Sequence, residues 1–109
     1  MITSYSEELL TILGEECAEV IQILAKIQRI GEDSCYPGES KNNLDRLHEE
    51  IADILAVVDL LLTEETLDDH KIQNGKLKKR IKLKQFMSFK PKPIKIPEEP
   101  IIWPTLKRA

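Results

Sequence analysis

An all-α fold is what this sequence predicts, in the form of an antiparallel helical bundle completed by oligomerisation, and three observations predict it. Apolar residues recur three and four apart over two long stretches, about residues 6–30 and 44–63, which is the spacing of one face of a helix. Each stretch is bounded by helix punctuation: capping residues before it, and Gly31 or the acidic run from Glu64 to Asp69 after it. The apolar content of the first stretch is also too wide for a helix on a monomer surface, so it demands burial on more than one side. Helices of that kind need partners, and a dimer or tetramer is the expected state.

Taken in order, Ser4 or Ser6 caps the first helix, and Glu7 stands three residues after Ser4, as a capping box requires. The helix runs to about Arg29 or Ile30 and stops at Gly31. A polar loop follows, with the turn pair Pro37-Gly38 at its centre. Asn42 and Asn43 are candidate caps for a second helix over 44–63, whose apolar line is Leu47, Ile51, Ile54, Val58 and Leu61. A third, basic helix is expected over about 70–86, weakened in its first half by Gly75. From Phe89 onward the composition changes, since five of the six prolines lie between Pro91 and Pro104. The chain therefore divides into a helical domain, 1–88, and an extended C-terminal arm, 89–109, with Ile101, Ile102 and Trp103 as its apolar anchors.

Charge is unevenly spread. The formal net charge is -3, yet residues 1–70 hold 17 acids against 4 bases and residues 71–109 hold 2 acids against 12 bases. That division suits an acidic site in one part of the fold and a basic segment that meets it, a neighbouring subunit or a phosphate-bearing ligand. No apolar run approaches the roughly 20 residues of a membrane span, so no membrane partner is expected. The first residues carry no signal pattern, which makes the expected location cytoplasmic. Cys17 and Cys35 form no disulfide framework and have no metal spacing; Cys17 reads as a packing residue.

The informative anomaly is the acid content of the greasy faces. Glu16 falls among Leu9, Ile12, Val20, Ile23 and Ile27, near the middle of the first apolar stripe, with Glu19 one turn on at its border. Glu50 falls between Val57 and Leu61 on the second stripe, with Asp53 at its edge. Burial of an unpaired carboxylate costs several kcal/mol or forces protonation, so the four acids call for a cation. Packed antiparallel, the helices would bring them together. Oxygen ligands without His or Cys select Mg²⁺, or Mn²⁺ in its place, and Mg²⁺ commonly bridges to substrate phosphates. Lys76 and Arg80, one turn apart on the basic helix, are candidates to grip those phosphates. His48 and His70 have no zinc spacing, and no glycine-rich phosphate loop or nucleophile–base pattern is readable.

Glu15-Glu16-Cys17-Ala18-Glu19 and Glu49-Glu50-Ile51-Ala52-Asp53 together resemble the EExxE and ExxD halves of the all-α nucleoside triphosphate pyrophosphohydrolases. This MazG-like group includes dimeric dUTPases and phosphoribosyl-ATP pyrophosphohydrolase. The resemblance covers about Ser6 to Pro91 and takes in Ala25-Lys26 and the Lys76-to-Arg80 pair. It implies Mg²⁺ held by Glu16, Glu19, Glu50 and Asp53, and phosphate contacts from Lys76 and Arg80. It also implies catalytic or substrate-contacting roles for Glu15 and Arg46, and a substrate-binding place for Lys26, although Lys26 lies on the polar side of the helical wheel. Family members cleave the α–β phosphoanhydride of a nucleoside triphosphate, releasing the monophosphate and pyrophosphate. Small single-domain versions look like phage-encoded or house-cleaning enzymes acting on deoxynucleotides or non-standard nucleotides. A single short copy departs from both the two-domain MazG architecture and the longer dimeric dUTPases, which leaves the base open.

A rival reading is a non-catalytic binding or regulatory bundle whose basic C-terminal segment contacts nucleic acid or a protein. A nucleic-acid partner is the less expected of the two readings, because a pure binder has no need of four acids on two apolar faces.

Overall fold

The computed structural model describes residues 1–93, so the expected anchors Ile101, Ile102 and Trp103 lie outside the described residues. It consists of three helices, α1 (Tyr5–Ile30), α2 (Asn43–Thr63) and α3 (Asp69–Phe86). Each begins at a side chain that satisfies a free backbone N–H. Ser4 caps α1 by accepting from Glu7 N at 3.1 Å, while the Glu7 carboxylate reaches back to Thr3 N at 2.9 Å, one residue earlier than a standard capping box. Asn42 and Asp45 close a full capping box on α2. Asp68 accepts from Lys71 N at 3.0 Å and starts α3. That contact holds the Asp68 carboxyl below its ordinary range, because an N–H donor favours the ionised form.

Between α1 and α2 the chain turns through a tied loop. Gly31 takes φ 96°, open to glycine, and its N–H closes on Ile27 O at 2.8 Å. Asn43, one of two candidate caps, ties the loop instead. It is buried, donates Nδ2–H to Gly31 O at 3.0 Å and donates its backbone N–H to Ser34 O at 2.9 Å. A bridge between Cys35 and Asn42 completes the closure.

α1 and α2 are the packed pair. The beginning of α1 meets the end of α2, with Leu9 in one cluster with Val57 and Leu61, and Ser6 Oγ lies 3.0 Å from Thr66 Oγ1. The end of α1 meets the beginning of α2 through Gly31 and Asn43. Facing residues therefore rise in number along one helix as they fall along the other. Ile12, Leu13 and Leu67 pack around the cluster.

The buried apolar set of the described residues is small: Leu9, Ile23, Val57, Leu61 and Leu62. Leu10, Ile21 and Leu24 are exposed, the second greasy face anticipated for α1, and Leu55 and Leu60 are exposed on α2; Ile51, expected on the packing line of α2, is exposed as well. Cys17, expected as a packing residue, is exposed too. α3 contributes no buried residue, as its evenly basic surface dictates, and it runs through Gly75 without a break. No helix of the described residues is long and apolar enough to cross a membrane.

Candidate functional site: a cleft with acids at one end and bases at the other

The opposed run of α1 and α2 brings Glu16 level with Asp53 and Glu19 level with Glu50. Carboxylate oxygens of Glu16, Glu50 and Asp53 all lie within 4.8 Å of one another. Glu19 stands beside this trio, its carboxyl meeting that of Glu50. Two carboxylates make such a contact only when one is protonated or a cation lies between them. The pressure shows in the titration: Glu50 is pushed up to about 7, first by its hydrogen bond with Glu19, then by burial and by the charges of Glu19, Asp53 and Glu16. Glu16 is also raised, first by burial and then by the charges of Glu19 and Asp53. Oε2 of Glu16 and Oε2 of Glu50 are buried and have no hydrogen-bond partner among the described residues. The second acid of each motif's leading pair is thus the one turned inward. Glu49 pairs outward with Lys41 at 2.6 Å, and Glu15 is exposed and outside the cluster.

These residues fit a hard divalent cation. The donors are all oxygens, two of them orphaned and buried, with no Lys or Arg inside the trio to neutralise them. Bonds of about 2.1 Å to Mg²⁺ put opposite oxygens roughly 4.2 Å apart, so the observed spacing needs only a slight closing of side chains. Burial between helices supplies the rest, since a charge removed from water seeks a partner.

Next to the acids a cleft of about 130 Å³ is lined by Glu19, Gln22, Ile23, Lys26, Arg46 and Glu50. One end is acidic, the other basic. Lys26 follows Glu19 by two helical turns on α1, and Arg46 precedes Asp53 by two turns on α2, so the opposed helices deliver both cations to the same end. Lys26 is partly buried rather than solvated, contrary to its place on the helical wheel. Its ammonium donates to the Tyr36 hydroxyl and lies 4.9 Å from the Tyr36 ring centroid. The Arg46 guanidinium lies 4.6 Å from the same centroid and forms an ion pair with Glu39. Sequence reasoning missed Tyr36 and Glu39 because they belong to a loop without periodicity. The signal that could have found them is the Pro37-Gly38 turn between them, joined to an acidic site by only a short stretch of chain.

Lys76 and Arg80 are not gathered here. Lys76 lines a mostly apolar cavity of about 300 Å³ between α2 and α3, with Leu55, Val58, Asp59, Leu62, Ile72 and Gln73. Arg80 lines one of about 160 Å³ with Leu83, Lys84, Pro91, Lys92 and Pro93. No α3 residue lines the acid–base cleft, so within one chain α3 does not bring Lys76 and Arg80 to it, where the sequence placed them as candidates to grip phosphates. α3 lacks the apolar stripe that would draw it across the hairpin.

Paired helices here set carboxylates against cations across one small cleft. Residues 5–84 match the family model of the MazG nucleotide pyrophosphohydrolase domain. The chain belongs to that family, whose members are hydrolases acting on nucleotide phosphoanhydrides. No curated protein and no solved structure matches the chain. Family membership favours the catalytic reading over the pure binding module.

Proposed function

We propose that this protein hydrolyses a nucleoside triphosphate, of deoxy or non-standard type, to the monophosphate and pyrophosphate in a Mg²⁺-dependent reaction, with Mn²⁺ able to substitute. The observation that carries the reading is the pair of buried, unpartnered carboxylate oxygens of Glu16 and Glu50, set within 4.8 Å of Asp53 beside a cleft whose far end is cationic. Glu16, Glu19, Glu50 and Asp53 hold the ion. When bound, it supplies charge neutralisation at the phosphoanhydride and acidifies the attacking water. Lys26 and Arg46 bind the phosphates at the other end of the cleft and stabilise charge developing on the leaving group. Glu50, pushed up to about 7, has to lose its proton before all four acids are ionised. Glu15, exposed beside Glu16, acts from the rim.

The exposed faces of Leu10, Ile21, Leu24, Ile51 and Leu55 are covered by further copies of the chain, as a dimer or tetramer that completes the antiparallel bundle. Lys76 and Arg80 reach phosphates only across such an interface. The catalytic domain is residues 1–88, and 89–109 form an accessory arm. A house-cleaning role in the cytoplasmic nucleotide pool, of the phage-like kind, is part of the same proposal. The experiment is direct: incubation of the purified protein with a panel of ribo- and deoxynucleoside triphosphates and Mg²⁺. Release of pyrophosphate from at least one of them, abolished in Glu16→Gln, is expected; no release from any, or full activity in Glu16→Gln, refutes the proposal.

A further inference from the structure

Tyr36 sits in a turn whose chemistry is local. In Tyr36-Pro37-Gly38-Glu39 the Glu39 N–H donates to Tyr36 O at 3.0 Å, and Gly38 has φ 82°. Proline at the second position and a left-handed glycine at the third are the requirements of a type II β-turn. Such a turn sets its first and fourth residues side by side. Both touch Arg46, Tyr36 through its ring and Glu39 through its carboxylate. Tyr36 also touches Lys26, through its hydroxyl and its ring. The loop that carries the turn is pinned at its base by Asn43, which bonds Gly31 and Ser34.

Lys26 and Arg46 are like charges on long, flexible side chains, and unaided they would repel and roam. A phenol between them changes this in two ways. The ring's negative face attracts Arg46, and the hydroxyl oxygen accepts from Lys26. The Tyr36 hydroxyl is accordingly lowered from its ordinary range, first by the bond from Lys26 and then by the Lys26 and Arg46 charges. Arg46 keeps one donor, Nε, buried and without a partner among the described residues.

We propose that Tyr36 is a positioning residue that holds Lys26 and Arg46 together as a preformed phosphate clamp, with Glu39 fixing the outer side of Arg46. The clamp rests on the assignment of the basic end of the cleft to substrate phosphates. Its effect is to order two rotamer-rich side chains before the substrate arrives, so that binding does not have to order them. The turn acts on phosphate affinity and leaves the acids alone.

Inorganic pyrophosphate with Mg²⁺, titrated calorimetrically into the full chain, reads this without knowledge of the base. Tyr36→Ala is expected to weaken binding about tenfold, the combined effect of the Arg46 cation–π contact and the Lys26 hydrogen bond, and Tyr36→Phe about threefold because the ring remains. In a Lys26→Ala, Arg46→Ala background, Tyr36→Ala is expected to change the affinity less than about twofold, and the shift in melting temperature caused by Mg²⁺ alone is expected to stay at the native value in the single variant. Tyr36→Leu replaces Tyr36→Ala in the same comparisons if the latter does not fold. Unchanged affinity in Tyr36→Ala, while Lys26→Ala and Arg46→Ala each weaken it, overturns the clamp alone. An equal loss in both backgrounds also overturns it, since that marks general damage. Native protein that binds no pyrophosphate, or is insensitive to Lys26→Ala and Arg46→Ala, overturns the phosphate assignment beneath it.

Discussion

Replacing Glu50 by Gln removes one of three carboxylate charges whose oxygens lie within 4.8 Å of one another, and keeps the shape of the side chain. Two unit charges at that spacing repel by about 1 kcal/mol in bulk water and several times more at the effective dielectric of a protein surface. The cleft opens to solvent, so the lower figure applies to Glu50. The amide also donates to Glu19, where the carboxyl needs a proton. Because Glu50 is pushed up to about 7 in the folded chain, folding binds a proton between the usual carboxyl range and neutrality. The stability this contributes is complete below the unfolded-state pKa and is lost as the pH rises through about 7. Metal-free Glu50→Gln is therefore expected to melt about 4–8 °C above the native protein at about pH 8, following about 1 kcal/mol of relief, and to match it at about pH 5. With Mg²⁺ the order reverses: the native protein gains melting temperature, while the variant gains less and releases no pyrophosphate. Thermal melts at both pH values, in chelator and in Mg²⁺, read every arm. A variant less stable than the native chain at the higher pH in chelator, or one equally stabilised by Mg²⁺, refutes the idea that these acids are held together for a cation.

Three further outcomes are expected. Leu61 is 0% exposed where the beginning of α1 meets the end of α2, so Leu61→Ala lowers unfolding stability by about 2–5 kcal/mol in urea titrations; a loss below about 1 kcal/mol shows that this contact is not the core. Mg²⁺ competes with the proton on Glu50, so its apparent affinity falls up to about tenfold for each pH unit below about 7, and pH-independent binding by calorimetry contradicts the site. Ile21 and Leu24, 68% and 43% exposed, lie on the face assigned to further copies; Ile21→Glu with Leu24→Glu converts the oligomer to monomer in sedimentation, and an unchanged sedimentation coefficient excludes that face.

Helix positions were legible in the sequence because their causes are local. Ser4 and Asn42 can each serve a free N–H within three residues, Gly31 can turn left-handed, and apolar residues three and four apart mark a face. The inward direction of Glu16 and Glu50 was legible for the same reason, as was the excess of apolar surface on α1. Other features needed the tertiary structure. Asn43 could have been a cap, and only the closed loop makes it a clamp. Lys26 looks solvated on a single-helix wheel, because a wheel cannot show that the opposed partner helix and a turn from the intervening loop enclose it. Tyr36 and Glu39 carry no periodic signal; their place follows from a β-turn folding back on both helices. Lys76 and Arg80 share a helix face in sequence, yet α3 has no apolar stripe to seat it over the cleft, so their distance from the acids was decided by packing. Short-range steric and hydrogen-bonding rules act through the sequence alone, whereas which side chains meet across helices depends on register, and register exists only once the chain has folded.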